Sequence, residues 1–216
     1  MRRFFLFGLL LGSLSLGVAA DRSNQLSRQE KKEGWVLLFN GKNLDGWDGD
    51  TELWSVQEGM LVGSTETKQI TANTFLIHRT EYGDFVLRAQ VKLRNHNSGI
   101  QFRSRPREGP GWVVIGYQAD VAQNNWWGSL YEEKGRGVLV NGWKGKGETV
   151  VRAGDWNDYE ITARGEHIII RLNGLVTAEL DDNGAASGII ALQLHSGPPM
   201  EVYFRNLKLK AMKSAR

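Results

Sequence analysis

Three segments of the chain each carry an amide and, two residues on, a charged or titratable side chain: Gln101 and Arg103, Gln118 and Asp120, Gln193 and His195. Residues two apart on a β-strand share a face. If the three strands lie in one sheet, these side chains line one polar surface. Amides, a carboxylate, a guanidinium and an imidazole together suit the hydroxyls of a sugar. A plainer reading is that exposed strand faces are polar in any case. The choice of Gln at all three places, where Lys, Thr or Glu would be usual, favours binding. Trp126-Trp127 follow Asp120 closely; such indoles either stack on a pyranose ring or cap the end of the fold. Tyr131, Glu132 and Glu133 come next. The carboxylates are candidates for acid or base chemistry, with Glu132 preferred and Glu133 read as part of a solvated turn.

The elements that must position these groups are strands. Phe85 to Leu93 alternates apolar and polar residues without a break, the signature of a half-buried strand. Trp54 to Val62 reads as a hairpin turning at Glu58-Gly59. Ile168 to Glu179 reads as another, turning at Asn173-Gly174, a pair suited to a type I′ turn. Further strands are expected over 99–104, 113–121, 137–140, 159–163, 188–195 and 202–210. Within them, Gln101 and Arg103 should oppose Ile100, Phe102 and Ser104. Gln118 and Asp120 should oppose Tyr117, Ala119 and Val121, and Gln193 and His195 should oppose Leu192 and Leu194. No capped amphipathic helix and no repeat is evident. The fold class is all-β, an antiparallel β-sandwich of the jelly-roll kind. Gly- and Trp-rich stretches over 105–112 and 122–150 are expected as ligand loops at one end of a concave sheet. Of the other tryptophans, Trp35, Trp54 and Trp156 are expected in the core, and Trp47, Trp112 and Trp143 in loops.

The 216 residues suffice for one domain with its own core. Arg2-Arg3, an apolar run to Ala20 diluted by Gly and Ser, and a small-residue exit read as a signal peptide over 1–20. Residues 21–33 read as a polar tether, and 34–212 as a single domain. The expected location is the periplasm or the exterior of a bacterial cell. No membrane span is expected once the leader is removed. The formal charge of +3 includes the leader arginines, so nothing favours a nucleic-acid partner. The chain has no Cys, which excludes disulfides, thiol nucleophiles and thiolate metal sites. No G-x-S-x-G elbow and no G-x-G-x-x-G after a strand is found, so no nicotinamide site is expected. The four His are scattered without metal-binding spacing. An oxygen-rich divalent cation site from Asp120 with Glu132 or Glu133 remains open.

Several stretches together resemble one family: Leu38-Phe39-Asn40-Gly41-Lys42, Tyr82-Gly83-Asp84-Phe85, Asn97-Ser98-Gly99-Ile100-Gln101-Phe102-Arg103-Ser104, Gly116-Tyr117-Gln118-Ala119-Asp120, Gly128-Ser129-Leu130-Tyr131-Glu132-Glu133, and the closing strands at 188–195 and 202–207. The pattern is similar to that of the 3-keto-disaccharide hydrolase domain family over about residues 35–210. The resemblance implies a concanavalin A-like lectin/glucanase sandwich that cleaves 3-keto-glycosides. Where many members carry Glu and then Gln after the Gly-Tyr pair, this chain has Gln118 and then Asp120, which moves the acidic role to Asp120. The chemistry implied is removal of the C2 proton, acidified by the C3 ketone, followed by loss of the C1 substituent and addition of water. On this reading Asp120 or His195 is the base and Arg103 steadies the enolate. Gln101, Gln118 and Gln193 hold hydroxyls, Tyr131 or Glu132 assists the leaving group, and Trp126-Trp127 form a rim. A separate sugar 3-dehydrogenase must supply the keto sugar. The alternative is a carbohydrate-binding module without catalysis, which needs stacking and hydroxyl contacts but no base.

Overall fold

The computed structural model describes residues 23–123 and 125–212, so the expected leader lies outside the described residues. Among them, fifteen strands, numbered in chain order, form two antiparallel sheets. One sheet runs β13 (Leu175–Asp181), β12 (His167–Leu172), β11 (Asn157–Arg164), β6 (Phe85–Leu93), β15 (Glu201–Ala211), β4 (Met60–Ser64) and β3 (Trp54–Gln57). Short β1 (Trp35–Leu37) also pairs with β15. The other sheet runs β10 (Gly137–Val140), β9 (Leu130–Glu133), β8 (Val114–Ala122), β7 (Asn97–Pro106), β14 (Gly188–Leu194), β5 (Thr74–Tyr82) and β2 (Trp47–Asp48). This is the sandwich the alternation pointed to.

Alternation works as expected on β6, where Phe85, Leu87, Ala89, Val91 and Leu93 are buried. They meet Ile100, Phe102, Tyr117, Ala119, Val121, Leu192 and Leu194 of the other sheet in one apolar layer. Burying each large apolar side chain contributes about 1.5–3 kcal/mol, so this layer is what holds the sheets face to face. The two expected hairpins turn where the sequence placed them. Glu58 and Gly59 have φ of 49° and 75°, and Asn173 and Gly174 have 48° and 88°. The strand β5 was not expected. Its Phe75 and Ile77 bury in a second, small apolar cluster with Val114, Ile189 and Ala191, while Leu76 joins the main core. A strand buried on both faces shows no alternation.

Residues 23–33 are fastened to the sandwich by hydrogen bonds and an ion pair, which corrects the expectation of a tether. Ser27 and Glu30 form a capping box that starts α1 (Arg28–Lys32). Asn24 and Asn206 each donate a backbone N–H to the other's side-chain oxygen, at 2.6 and 2.9 Å, and the Asn24 amide donates to Gly59 O at 2.7 Å. Glu30 ion-pairs with Lys208. Among the described residues no helix is long and apolar enough to cross a membrane.

Candidate active site

The outer face of the β10–β2 sheet carries a cleft of about 430 Å³. Strand register decides which side chains reach it. Pairing of β7 with β8 sets Gln101 opposite Gln118, and pairing of β8 with β9 sets Gln118 opposite Tyr131 and Gly116 opposite Glu133. Gln118, Asp120, Tyr131, Glu133, Gln193 and His195 therefore line one cleft, joined by Asn73, Asn97, Trp126, Lys134 and Val138. The amide, carboxylate and imidazole expected from strand alternation are thus brought together, from β8 and the end of β14.

The Gln118 amide donates to Asp120 Oδ1 at 2.7 Å and to Gln193 Oε1 at 3.4 Å. Gln193 donates to Glu133 Oε2 at 3.2 Å, and Asn73 donates to Glu133 Oε1 at 3.2 Å. Asp120 is 6% exposed and has a neutral amide as its hydrogen-bond donor. Burial pushes its pKa up to about 7 against the Gln118 hydrogen bond, and the Glu133 charge adds to the rise. Its backbone is anchored from the far sheet: the Tyr159 hydroxyl donates to Asp120 O at 2.5 Å and accepts from Gly128 N at 3.0 Å. His195 Nδ1 lies 2.6 Å from Ser196 O. A carbonyl only accepts, so Nδ1 carries a proton and donates it to Ser196 O. The His96 ring packs edge-on against His195 at 5.0 Å and contacts the same carbonyl. Burial and the two carboxylates raise the Tyr131 pKa, so its hydroxyl stays protonated.

Five expectations change. Arg103 does not reach the cleft. A bulge between Phe102 and Arg105, with Arg103 at φ 45°, reverses the parity of the strand. The guanidinium is buried at one end of the sandwich. There it donates to Gly83 O at 3.0 Å, Gly165 O at 2.7 Å and Asp84 Oδ1 at 2.9 Å. Glu132 points away as well. It pairs with Arg136 at 2.6 Å, and Arg136 also holds Asp182. Glu133 takes the cleft position, the reverse of the expectation. The signal was available: Leu130 faces the core, so Tyr131 and Glu133 must face outward. Trp127 is buried against Tyr159 with ring centroids 6.2 Å apart and belongs to the core, whereas Trp126 lines the cleft. Trp156 is not a core residue; it lies under the Arg205 guanidinium on the outer face of the other sheet. Gln101 is fully buried beneath the cleft and donates to Gln118 Oε1 at 2.7 Å, so it cannot hold a substrate hydroxyl directly. Among the described residues no cluster of three or more His, Cys, Asp or Glu side chains could hold a metal ion.

The sequence matches the 3-keto-alpha-glucoside-1,2-lyase-like domain over residues 34–210. The chain belongs to this family. The match runs from the residue before β1 to the penultimate residue of β15 and so takes in the sandwich and every residue of the cleft. Similar solved structures agree on the fold. A protein from Parabacteroides distasonis ATCC 8503, described as a putative glycosyl hydrolase, is 22% identical with a TM-score of 0.66, over 89% of this chain and 100% of the other. The carbohydrate-binding module CBM66 from Bacillus subtilis is 16% identical with a TM-score of 0.54, over 82% and 96%. A Bacillus subtilis protein of unknown function with a galectin-like fold is 12% identical with a TM-score of 0.60, over 89% and 96%. None of the curated proteins matches. Within the family domain, the stretches at 97–104, 116–120 and 128–133 lie on the adjacent strands β7, β8 and β9, which build the floor of the cleft.

Proposed function

We propose that this protein is an exported enzyme that cleaves 3-keto-glycosides by elimination and hydration. The observation that carries the reading is Asp120: a buried carboxyl lining an open cleft, with a pKa pushed up to about 7 and a neutral amide as its donor. A general base works best when its pKa lies near the operating pH. The C3 ketone acidifies the C2 hydrogen. Asp120 takes that proton, and the electron pair forms the enolate across C2 and C3. With its Nδ1–H held by Ser196 O, His195 in its imidazolium form donates Nε2–H to the enolate oxygen, the role that Arg103 cannot fill. The enolate then reforms the ketone, the C1=C2 bond forms, and the C1–O bond breaks. Tyr131 gives its proton to the departing oxygen, with Glu132 turned away. Water next adds its oxygen to C1 and gives one proton to the Tyr131 phenolate, while Asp120 returns its proton to C2, so both groups are restored and the net change is hydrolysis. Gln118, Gln193 and Trp126 orient the sugar, and Glu133 keeps Asp120 basic through its charge. The ketone must come from a separate sugar 3-dehydrogenase.

The test is incubation with 3-keto-trehalose and 3-keto-glucosides in deuterated water. The expected result is release of the aglycone with deuterium at C2 of the 3-keto sugar. Sugar binding across the panel with neither release nor exchange would assign the cleft to a binding module instead.

A further inference from the structure

Beneath the cleft floor lie two buried polar groups that no substrate can touch, Ser104 and Gln101, and they connect to Gln118 in the floor itself. The Ser104 hydroxyl lies 2.7 Å from Gln101 Oε1, 2.9 Å from Phe102 O and 3.2 Å from Tyr117 O, and its single proton serves the nearest of them; Gln101 Nε2 donates to Gln118 Oε1 at 2.7 Å, and Gln118 Nε2 donates to Asp120 Oδ1 at 2.7 Å. A second branch leaves Gln118 for Gln193 and ends at Glu133. An ionised carboxylate only accepts hydrogen bonds. Asp120 therefore forces the Gln118 NH₂ toward itself and the Gln118 carbonyl toward Gln101. Gln101 must then present its NH₂ to Gln118 and its carbonyl to Ser104. The Glu133 end imposes the same sense on Gln193. Two carboxylates thus fix the orientation of three amides, and Gln118 is the branch point.

Two glycines make room for this layer. A Cβ at Gly99 would lie on the Gln118 amide, far inside contact distance, and a Cβ at Gly116 would lie 2.5 Å from the Ser104 hydroxyl. Gly99 pairs with Asp120 across β7 and β8, so the gap lets the Gln118 side chain lie flat beside that carboxyl. Ser104 joins the layer only because of the bulge that turns Arg103 away.

We propose that Ser104, Gln101 and Gln118 are positioning residues that form a one-way, branched hydrogen-bond relay, holding Asp120 and Glu133 as acceptors at the cleft floor. The inference rests on the reading of Asp120 as the base, and it deepens that reading by adding Ser104 and Gln101, which never meet the substrate, behind Gln118, which does. Gln101→Met keeps the volume and removes the relay's middle link. Gln118 then loses the donor to its carbonyl, so its amide is no longer held firmly against Asp120. The Asp120 carboxylate loses support, so its titration moves up. The other ionisable groups facing Asp120 are Glu133, Tyr131, Lys134 and His195 in the cleft, with Tyr159 under its backbone carbonyl. The substitution leaves all of them in place.

The experiment is a carboxyl-detected NMR titration of the full chain without substrate, alongside the pH profile of kcat. In Gln101→Met the Asp120 titration and the acid limb of kcat should both rise by about half to one pH unit. Well below that pKa, kcat should fall roughly three- to tenfold, with KM little changed. Ser104→Ala should shift both in the same direction by less, and it carries the test if Gln101→Met does not fold. An unmoved Asp120 titration in a folded variant would overturn the relay. If the titration shifts as expected while no 3-keto-glycoside is cleaved by the unaltered protein, the relay stands and the proposed reaction falls.

Discussion

The same pair of residues occurs on the outer face of each sheet, in opposite surroundings. On the β13–β3 sheet the Gln90 amide donates to Asp158 Oδ1 at 2.8 Å, and on the other sheet the Gln118 amide donates to Asp120 Oδ1 at 2.7 Å. Asp158 is 52% exposed and lies 3.5 Å from Arg152, amid further surface pairs such as Arg88–Glu160. Asp120 is 6% exposed and is backed by buried amides. A groove of about 420 Å³ lies over Gln90 and Asp158, as large as the cleft over Asp120. Neither residue types nor cavity size separates the two faces. What separates them is loss of water around one carboxylate without a cation to compensate, the condition that lifts a carboxyl into the range of a base.

The comparison is broken most directly by neutralising each carboxylate. Asp120→Asn should cut kcat about 10²- to 10⁴-fold, the usual worth of a general base, while Asp158→Asn leaves it unchanged. Stability should move the other way. The Asp120 pKa is higher in the folded chain than in the unfolded one, so between roughly pH 4 and 7 the folded state binds the extra proton. Its contribution therefore falls as pH rises through that window and is fully unfavourable above pH 7. At pH 8 Asp120→Asn should raise stability by up to about 4 kcal/mol, read as a higher Tm, and lose that advantage near pH 4. A variant that lost turnover and stability together would make Asp120 a structural carboxylate. In the unaltered protein kcat should rise with pH through about 7 as Asp120 ionises.

Arg103 and Trp127 sharpen the boundary between site and scaffold. Arg103 ties the Gly83-Asp84 and Gly165 turns with three hydrogen bonds, and Asp84 also accepts from Gly165 N at 2.9 Å. Breaking a buried ion pair from one side leaves the partner charge uncompensated. Arg103→Ala should cost about 3–5 kcal/mol in chemical denaturation. Trp127→Ala should cost a similar amount, about 3–5 kcal/mol, by emptying the space against Tyr159. Trp126→Ala should leave stability alone and raise KM roughly fivefold, about 1 kcal/mol of stacking. If Arg103→Ala instead kept its denaturation midpoint and lost kcat, the guanidinium would belong to the reaction.

These outcomes bear on what can be read from residues alone. The sandwich, both hairpin turns and the outward direction of Gln118, Asp120 and Gln193 follow from period-two alternation, which is a local property. Arg103 escaped because a bulge inserts a residue without leaving a mark in the apolar pattern; Ser104 and Arg103 exchange faces in a segment that still reads as one strand. The β5 strand escaped because burial on both faces erases alternation. Trp126 and Trp127 are chemically identical, and only the turn between β8 and β9 sends one to the cleft and the other to Tyr159. Glu133 was legible, since β9 alternates from Leu130, but four residues among glycines were read as a turn.

Glu132 and Glu133 give the smallest and most exacting contrast. They are adjacent, both carboxylates, and separated only by strand parity. Glu133 accepts from Gln193 and Asn73 and lies close enough to raise the Asp120 pKa. Glu133→Gln removes that charge, so Asp120 becomes a weaker base. The acid limb of kcat should move down, and its plateau should fall roughly two- to fivefold as basicity is lost. Glu132 has its own pKa held low by Arg136 on a half-exposed surface. Glu132→Gln should leave the pH profile of kcat where it is and cost at most about 1 kcal/mol, the range of a surface ion pair. The two profiles distinguish the carboxylates even where the activity change is modest, because only a charge that faces Asp120 can displace its titration. An acid limb that moved with Glu132 and not with Glu133 would mean that β9 presents its other face to the cleft.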